Sequence, residues 1–213
     1  MAVRGAVVLG KGTLAVRVAD WFLRSPGYEL LQVVPVMPEP AWTDSLAGWA
    51  RSRRVPVVAS GDYRDLQLER AELGISVFYD RILPPDVIAR FGRLLNIHNG
   101  PLPRYRGVAP INWALKNGEP RHGVTIHEIT PGVDEGPIVA QLEYTIYPEF
   151  DEVVDVYHRA LEYCWTLFQQ TLPLLDRIAP RAQDHSRATY YSARDRRLLG
   201  ERAGFTRGLS LRT

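Results

Sequence analysis

The chain has 213 residues, with 26 basic and 24 acidic side chains and a formal charge of +2, so no nucleic-acid partner is implied for its main body. A single cysteine, Cys164, excludes a disulfide framework. No apolar run approaches a membrane span, and the apolar N-terminal run is too short and too soon broken by Gly10 to be a signal segment, so the expectation is a cytoplasmic protein.

Val3 to Leu9 reads as a buried strand, followed by Gly10-Lys11-Gly12-Thr13 and a helix from about Leu14 to Leu23. Val16, Ala19, Trp21, Phe22 and Leu23 are its expected apolar face. The spacing Gly10-x-Gly12-x-x-Ala15, with Glu39 at a distance suited to a ribose, fits a dinucleotide-binding fingerprint. The same residues serve equally as a tight strand-to-helix turn, or as a helix N-terminus that holds a substrate phosphate. Tyr28 to Val36 is a second strand, and Thr43 is the expected N-cap of a helix through Arg53 with Leu46, Trp49 and Ala50 inward. Short strands follow at Val55 to Ala59 and Ile75 to Tyr79, with a helical stretch expected near Leu66 to Leu73. Pro85 fits the first position of the next helix.

Leu94 to Ile97 is a central strand that ends in Asn96-Ile97-His98. Residues two apart on a strand project to one side, so Asn96 and His98 share the carboxyl end, where ligands of α/β sheets bind. An amide donor beside an imidazole suits oxyanion stabilisation and proton handling; the same pair equally well begins a turn. Pro110 to Asn117 is a short helix with Trp113 and Leu115 inward, Gly123 to Ile129 and Val139 to Tyr147 are strands, and Pro131 to Pro137 is a loop. Asp151 is the expected cap of the longest helix, through about Leu172. Its stripe is Val153, Val156, Tyr157, Ala160, Leu161, Cys164, Leu167 and Phe168. Beyond Ala179 only Arg187 to Tyr191 reads as a strand, which divides the chain into a main domain, 1–178, and an extension, 179–213, that forms a hairpin or a subunit contact. From Arg187 onward seven arginines face only Asp195 and Glu201. Such a basic end suits solvent, a phosphate, nucleic acid, or a subunit contact in a homodimer. His98, His122, His127 and Asp134 lack metal-motif spacing, so no metal is expected. His122 and His127 are placed on the surface and on a strand.

Four motifs in order resemble the 10-formyltetrahydrofolate-dependent formyltransferase family, which includes glycinamide ribonucleotide, methionyl-tRNA and sugar N-formyltransferases. They are Asn96-x-His98, the Leu-Pro-Arg-Tyr-Arg-Gly run at 102–107, Gly123-Val-Thr-Ile-His127 and Val133-Asp134-Glu135-Gly136-Pro137-Ile138. The resemblance is dense over Ile75 to Tyr147. It implies a Rossmann-like α/β fold, an open, mostly parallel twisted sheet with helices on both faces. It implies transfer of a formyl group from 10-formyltetrahydrofolate, as donor co-substrate, to a primary amine. Asn96 and His98 would stabilise the oxyanion, while Asp134 would orient His98, raise its pKa and help deprotonate the amine. Arg81, Ile82 and Leu83 would line the folate pocket, with Thr130, Val133 and Asp134 opposite. Asn99-Gly100 stands where many members carry Pro-Ser, and its permissive backbone suggests a reshaped loop floor. Arg106-Gly107 resembles the tRNA and sugar branches, and the chain is too short for the tRNA branch's second domain. The implied acceptor is a nucleotide-linked amino sugar, its diphosphate met by Lys11 or an arginine such as Arg104 or Arg106, its base by Tyr105 or Trp113. Other acceptors are an amino acid derivative or glycinamide ribonucleotide. Competing classes are a formyltetrahydrofolate hydrolase and a dinucleotide-binding oxidoreductase.

Overall fold

The computed structural model describes residues 3–200; Glu201, Arg202, Arg207 and Arg212 of the basic end lie outside the described residues. The chain divides into two compact units, Met1–Ile97 with Glu128–Pro131, and His98–His127 with Gly132–Thr213.

The first unit is built on β1 (Arg4–Gly10), β2 (Tyr28–Pro35), β3 (Ala71–Val77) and β4 (Phe91–His98). β1 pairs in parallel with β2 and β3, and β3 with β4. A parallel strand covered on both faces reads as a continuous apolar run, and Ala6-Val7-Val8-Leu9 is wholly buried. Helix α1 (Gly12–Arg24) buries Leu14, Ala15, Val18, Ala19 and Phe22, the i, i+4 and i, i+3 row of one helix face. Of the expected face only Ala19 and Phe22 are in it; Val16 and Trp21 are half-buried and Leu23 is exposed, because they lie off that row.

Helix α2 (Leu46–Ser52) starts at Ser45, whose hydroxyl accepts from the Gly48 N–H at 2.8 Å. Thr43, the expected cap, instead accepts from the Thr13 N–H at 3.2 Å and so steadies the start of α1. Glu39 accepts from the Ser45 hydroxyl and from the Ala47 N–H at 3.1 Å, so the carboxylate offered to a ribose is engaged at α2. The helix expected near Leu66 to Leu73 is a single turn at Tyr63–Asp65, and β3 begins already at Ala71. Pairing decides this: Ala71, Leu73 and Ile75 lie opposite Phe91, Arg93 and Leu95, a period of two that a helix would scatter. Helix α3 (Pro85–Ile88) carries Pro85 at its start. Leu83, Val87, Phe91 and Leu94 join Val7, Leu9 and Val34 in one apolar cluster, with Ile129 and Tyr79 packed against it.

The second unit holds β5 (Arg106–Gly107), α4 (Pro110–Lys116), β6 (Arg121–Glu128), β7 (Ile138–Thr145), α5 (Val153–Thr171) and β8 (Tyr190–Tyr191). β6 and β7 are antiparallel. α5 opens on a reciprocal capping box of Glu152 and Asp155 rather than on Asp151. Asp151 is spent on the Tyr147 N–H and on Arg159, each at 2.8 Å. Val156, Ala160, Cys164, Leu167 and Phe168 form the buried stripe of α5, and burial pushes the Cys164 thiol up. Among the described residues beyond Ile178, β8 pairs in parallel with β5. In hydrogen-bonded order the main strands read β2-β1-β3-β4-β6-β7, a six-stranded, mostly parallel sheet of the Rossmann-like α/β class. Among the described residues no helix is long and apolar enough to cross a membrane.

Candidate active site

The apolar run of β4 carries Asn96, in register with Ser76 of β3, and two residues later His98. The chain then turns at Gly100. A Cβ there would lie 2.7 Å from His98 Nε2, so glycine is required by the approach of the imidazole. Its φ is not among the positive ones, so the close approach rather than a left-handed backbone accounts for the glycine. The loop after it is held from β6 and β7. Thr125 donates its hydroxyl to the Gly100 carbonyl at 2.7 Å and accepts from the Leu102 N–H at 3.2 Å. Gln141 donates to the Leu102 carbonyl at 2.7 Å.

His98 is buried. Its Nε2 lies 2.8 Å from the Tyr105 carbonyl, which can only accept, so Nε2 carries a proton. Its Nδ1 lies 3.6 Å from Asp134 Oδ2, beyond hydrogen-bond reach but within that of a charge. Asp134 Oδ2 accepts from the Gly107 N–H at 2.8 Å, and Oδ1 lies 3.3 Å from His127 Nε2. Burial alone pushes the Asp134 carboxyl up. The charge of His98, the hydrogen bond and charge of His127 and the Gly107 N–H outweigh it, and hold the carboxyl well below the usual carboxylate range. Asp134 therefore stands as a carboxylate between two imidazoles. The backbone that builds this arrangement is strained: Tyr105, Ala109 and Asp134 have φ of 61°, 57° and 52°.

Residue by residue, the second unit brings together His98 and Asp134 and adds His127, which lies on a strand as expected, β6, and is 2 % exposed. His122, expected on the surface, is also on β6 and 0 % exposed, because the strand is covered on both faces there. Arg104 contacts Glu119 at 3.3 Å. The Tyr105 hydroxyl donates to Glu119 at 2.7 Å, and burial, with help from Glu119, raises its pKa to about 12. Trp113 is buried and stacked on Tyr191 at 4.2 Å, with Lys116 over its ring. Arg106 is buried, bonded to Gln183 at 2.7 Å and set 3.7 Å from Glu135. Arg106, Trp113 and Tyr105 thus spend most of their polar or ring surface inside the protein. Val133 is half-buried in the loop that presents Asp134.

In the first unit, Arg81 is paired with Asp62 at 2.7 Å, Ile82 is 68 % exposed, and Leu83 packs into the apolar cluster. Among the described residues the peptide groups of Ile82, Leu83 and Thr130 hold no hydrogen bonds, and Thr130 is half-buried. Lys11 is half-buried, its N–H donating to the Val77 carbonyl at 3.1 Å. Among the described residues no three His, Cys, Asp or Glu side chains gather as a metal site.

A parallel α/β sheet that ends one strand in Asn-x-His, with a buried aspartate facing the imidazole, defines an enzyme with acid–base machinery at a strand end. The family model for formyl transferases matches residues 51–172, and the chain belongs to that family. It is a formyltransferase.

The N-formyltransferase from Helicobacter canadensis, solved with folinic acid and dTDP-3-aminofucose, is 24% identical, with 91% of this chain and 72% of that chain covered at a TM-score of 0.78. PseJ from Anoxybacillus kamchatkensis, solved with UDP-4,6-dideoxy-4-formamido-L-AltNAc and tetrahydrofolate, is 26% identical, with 91% and 88% covered at 0.66. Glycinamide ribonucleotide transformylase 1 from Symbiobacterium toebii is 24% identical, with 86% and 95% covered at 0.69.

Proposed function

We propose that this protein transfers the formyl group of 10-formyltetrahydrofolate to the primary amine of a nucleotide-linked amino sugar. The observation that carries the chemistry is His98, with Nε2–H fixed on the Tyr105 carbonyl and Nδ1 facing the Asp134 charge. The donor supplies a formyl carbon open to attack by an amine. Neutral, Nδ1 accepts the proton that the attacking amine sheds; protonated, it offers an N–H, as the Asn96 amide does, for the charge developing on the formyl oxygen, and it then gives that proton to N10 of the folate as the formyl C–N10 bond breaks and tetrahydrofolate leaves. Asp134 balances the imidazolium without taking the proton itself. Ile82, Leu83 and Thr130 are assigned to the folate, with Val133 and Asp134, and Lys11 and Arg104 to the acceptor's phosphates. The sugar acceptor rests on the solved relatives: the Helicobacter canadensis enzyme and PseJ hold nucleotide-linked sugars together with a folate.

One observation favours glycinamide ribonucleotide as the second acceptor, namely that this chain's fold covers 95% of the Symbiobacterium toebii transformylase. The two separate in one assay. The protein is incubated with 10-formyltetrahydrofolate and, in turn, dTDP- or UDP-linked amino sugars, glycinamide ribonucleotide, or no amine, and products are weighed by mass spectrometry. Formylated sugar nucleotide is the expected product. Formylation of glycinamide ribonucleotide alone moves the acceptor to the second reading, and equal release of formate with and without amine overturns transfer in favour of hydrolysis.

A further inference from the structure

We propose that Gln183 is a positioning residue for the reaction, and that the segment 181–191 is a splint that sets the His98–Asp134 pair. This rests on the catalytic reading of that pair.

Gln183 is buried, and every polar atom of its amide is used. Nε2 donates to the Asp134 carbonyl at 2.8 Å and to the Gly136 carbonyl at 2.7 Å. Oε1 accepts from Arg106 Nε at 3.1 Å and Nη2 at 2.7 Å. The orientation is unambiguous, since carbonyls only accept and a guanidinium only donates; a flipped amide would face like with like on both sides. One side chain therefore ties the loop presenting Asp134 to β5, whose Gly107 donates to that carboxylate.

The rest of the segment repeats the tie. Arg181 and Ile138 exchange backbone hydrogen bonds at 2.7 and 2.8 Å. The Thr189 hydroxyl accepts from the Tyr105 N–H at 2.7 Å, and the Thr189 carbonyl accepts from the Arg106 N–H at 2.9 Å. The Tyr191 carbonyl accepts from the Val108 N–H at 2.8 Å. Tyr105, whose carbonyl fixes His98, holds a positive φ that needs such support, and Gly107 is glycine because a Cβ would lie 2.2 Å from the Tyr191 carbonyl. The splint lies outside residues 51–172, the part matched by the family model.

A loss of alignment in a site lowers turnover far more than binding. Gln183→Ala is expected to lower kcat by about tenfold or more, with KM for both substrates within about threefold. Gln183→Glu keeps the acceptor for Arg106 but turns an oxygen onto two carbonyls, so it does not rescue. Thr189→Val, on an exposed residue, removes only the acceptor of the Tyr105 N–H and should lower kcat by about threefold or more. In a His98→Ala background Gln183→Ala should cost no more than about twofold further, because it acts through His98 and Asp134. A general loss of structure would instead subtract equally in both backgrounds. Where Gln183→Ala does not fold, Thr189→Val decides: a lowered kcat supports the splint and an unchanged one overturns it. A fully active His98→Ala enzyme overturns the catalytic reading and the splint with it. An inactive His98→Ala beside Gln183→Ala and Thr189→Val enzymes of unchanged kcat overturns the splint alone.

Discussion

His98→Ala is expected to lower formyl-transfer turnover by a hundredfold or more, the scale of losing one donor or proton acceptor at a reacting carbonyl, about 2.7 kcal/mol in the barrier. His98 makes a hydrogen bond to the Tyr105 carbonyl, and the loop around it is separately held by Thr125, Gln141 and Thr189. The fold should therefore survive, and the loss should fall on kcat. Asn96→Ala should fall as far while leaving the pair in place. Asp134 is a harsher case, because its carboxylate serves the Gly107 N–H and both imidazoles. Asp134→Asn keeps an acceptor for Gly107 but removes the charge, and is the cleaner variant for a comparable loss. Steady-state kinetics on variants with wild-type circular dichroism make the check. A folded His98→Ala enzyme with near wild-type turnover would sink the assignment.

Local signals in the sequence carried as far as local physics reaches. The apolar run into Asn96-x-His98 marked the end of β4, and the period of Val156, Ala160, Cys164 and Leu167 marked α5, because each is set by contacts within a few residues. His127 escaped for a definable reason. β6 is buried on both faces from His122 to His127, so alternation does not single out that side chain. Gln183 sits 49 and 77 positions from the groups it joins, in a stretch with no periodicity, so no pattern announces it. Arg106 and Trp113 were of the right type for a phosphate and a base, but type does not report burial, and here Gln183 and Tyr191 cover them. Gly100 was conspicuous, yet the reason it must be glycine is a ring packed over it, which only the fold reveals.

The protein is expected to lose stability as pH falls from about 6.5 towards 4, and one side chain should account for a measurable part of the loss. His122 lies wholly buried on β6, and its Nε2 donates to the Asn99 carbonyl at 2.9 Å. Its Nδ1 is buried without a hydrogen-bond partner, so a second proton would create an unpaired cationic N–H in the interior. Burial first, then the charges of His98 and Arg104, lower its pKa to about 4, against the pull of the Asn99 carbonyl and Glu119. Above pH 6.5 neither the folded nor the unfolded state binds the proton, and there is no penalty. Between 6.5 and 4 the unfolded chain takes it and the folded one does not, so acid favours unfolding, by on the order of 3 kcal/mol across the window. The carboxylates held low in the fold, Asp62, Asp134 and Asp151 among them, act in a different range: their contribution is present above the ordinary value of 3.8 and is lost only below it. Urea unfolding at pH 7.5 and pH 4.5 measures the fall. His122→Gln keeps a donor for Asn99 and cannot titrate, so its stability should drop less over the same interval. The same drop in both proteins would show that His122 is not the group that titrates.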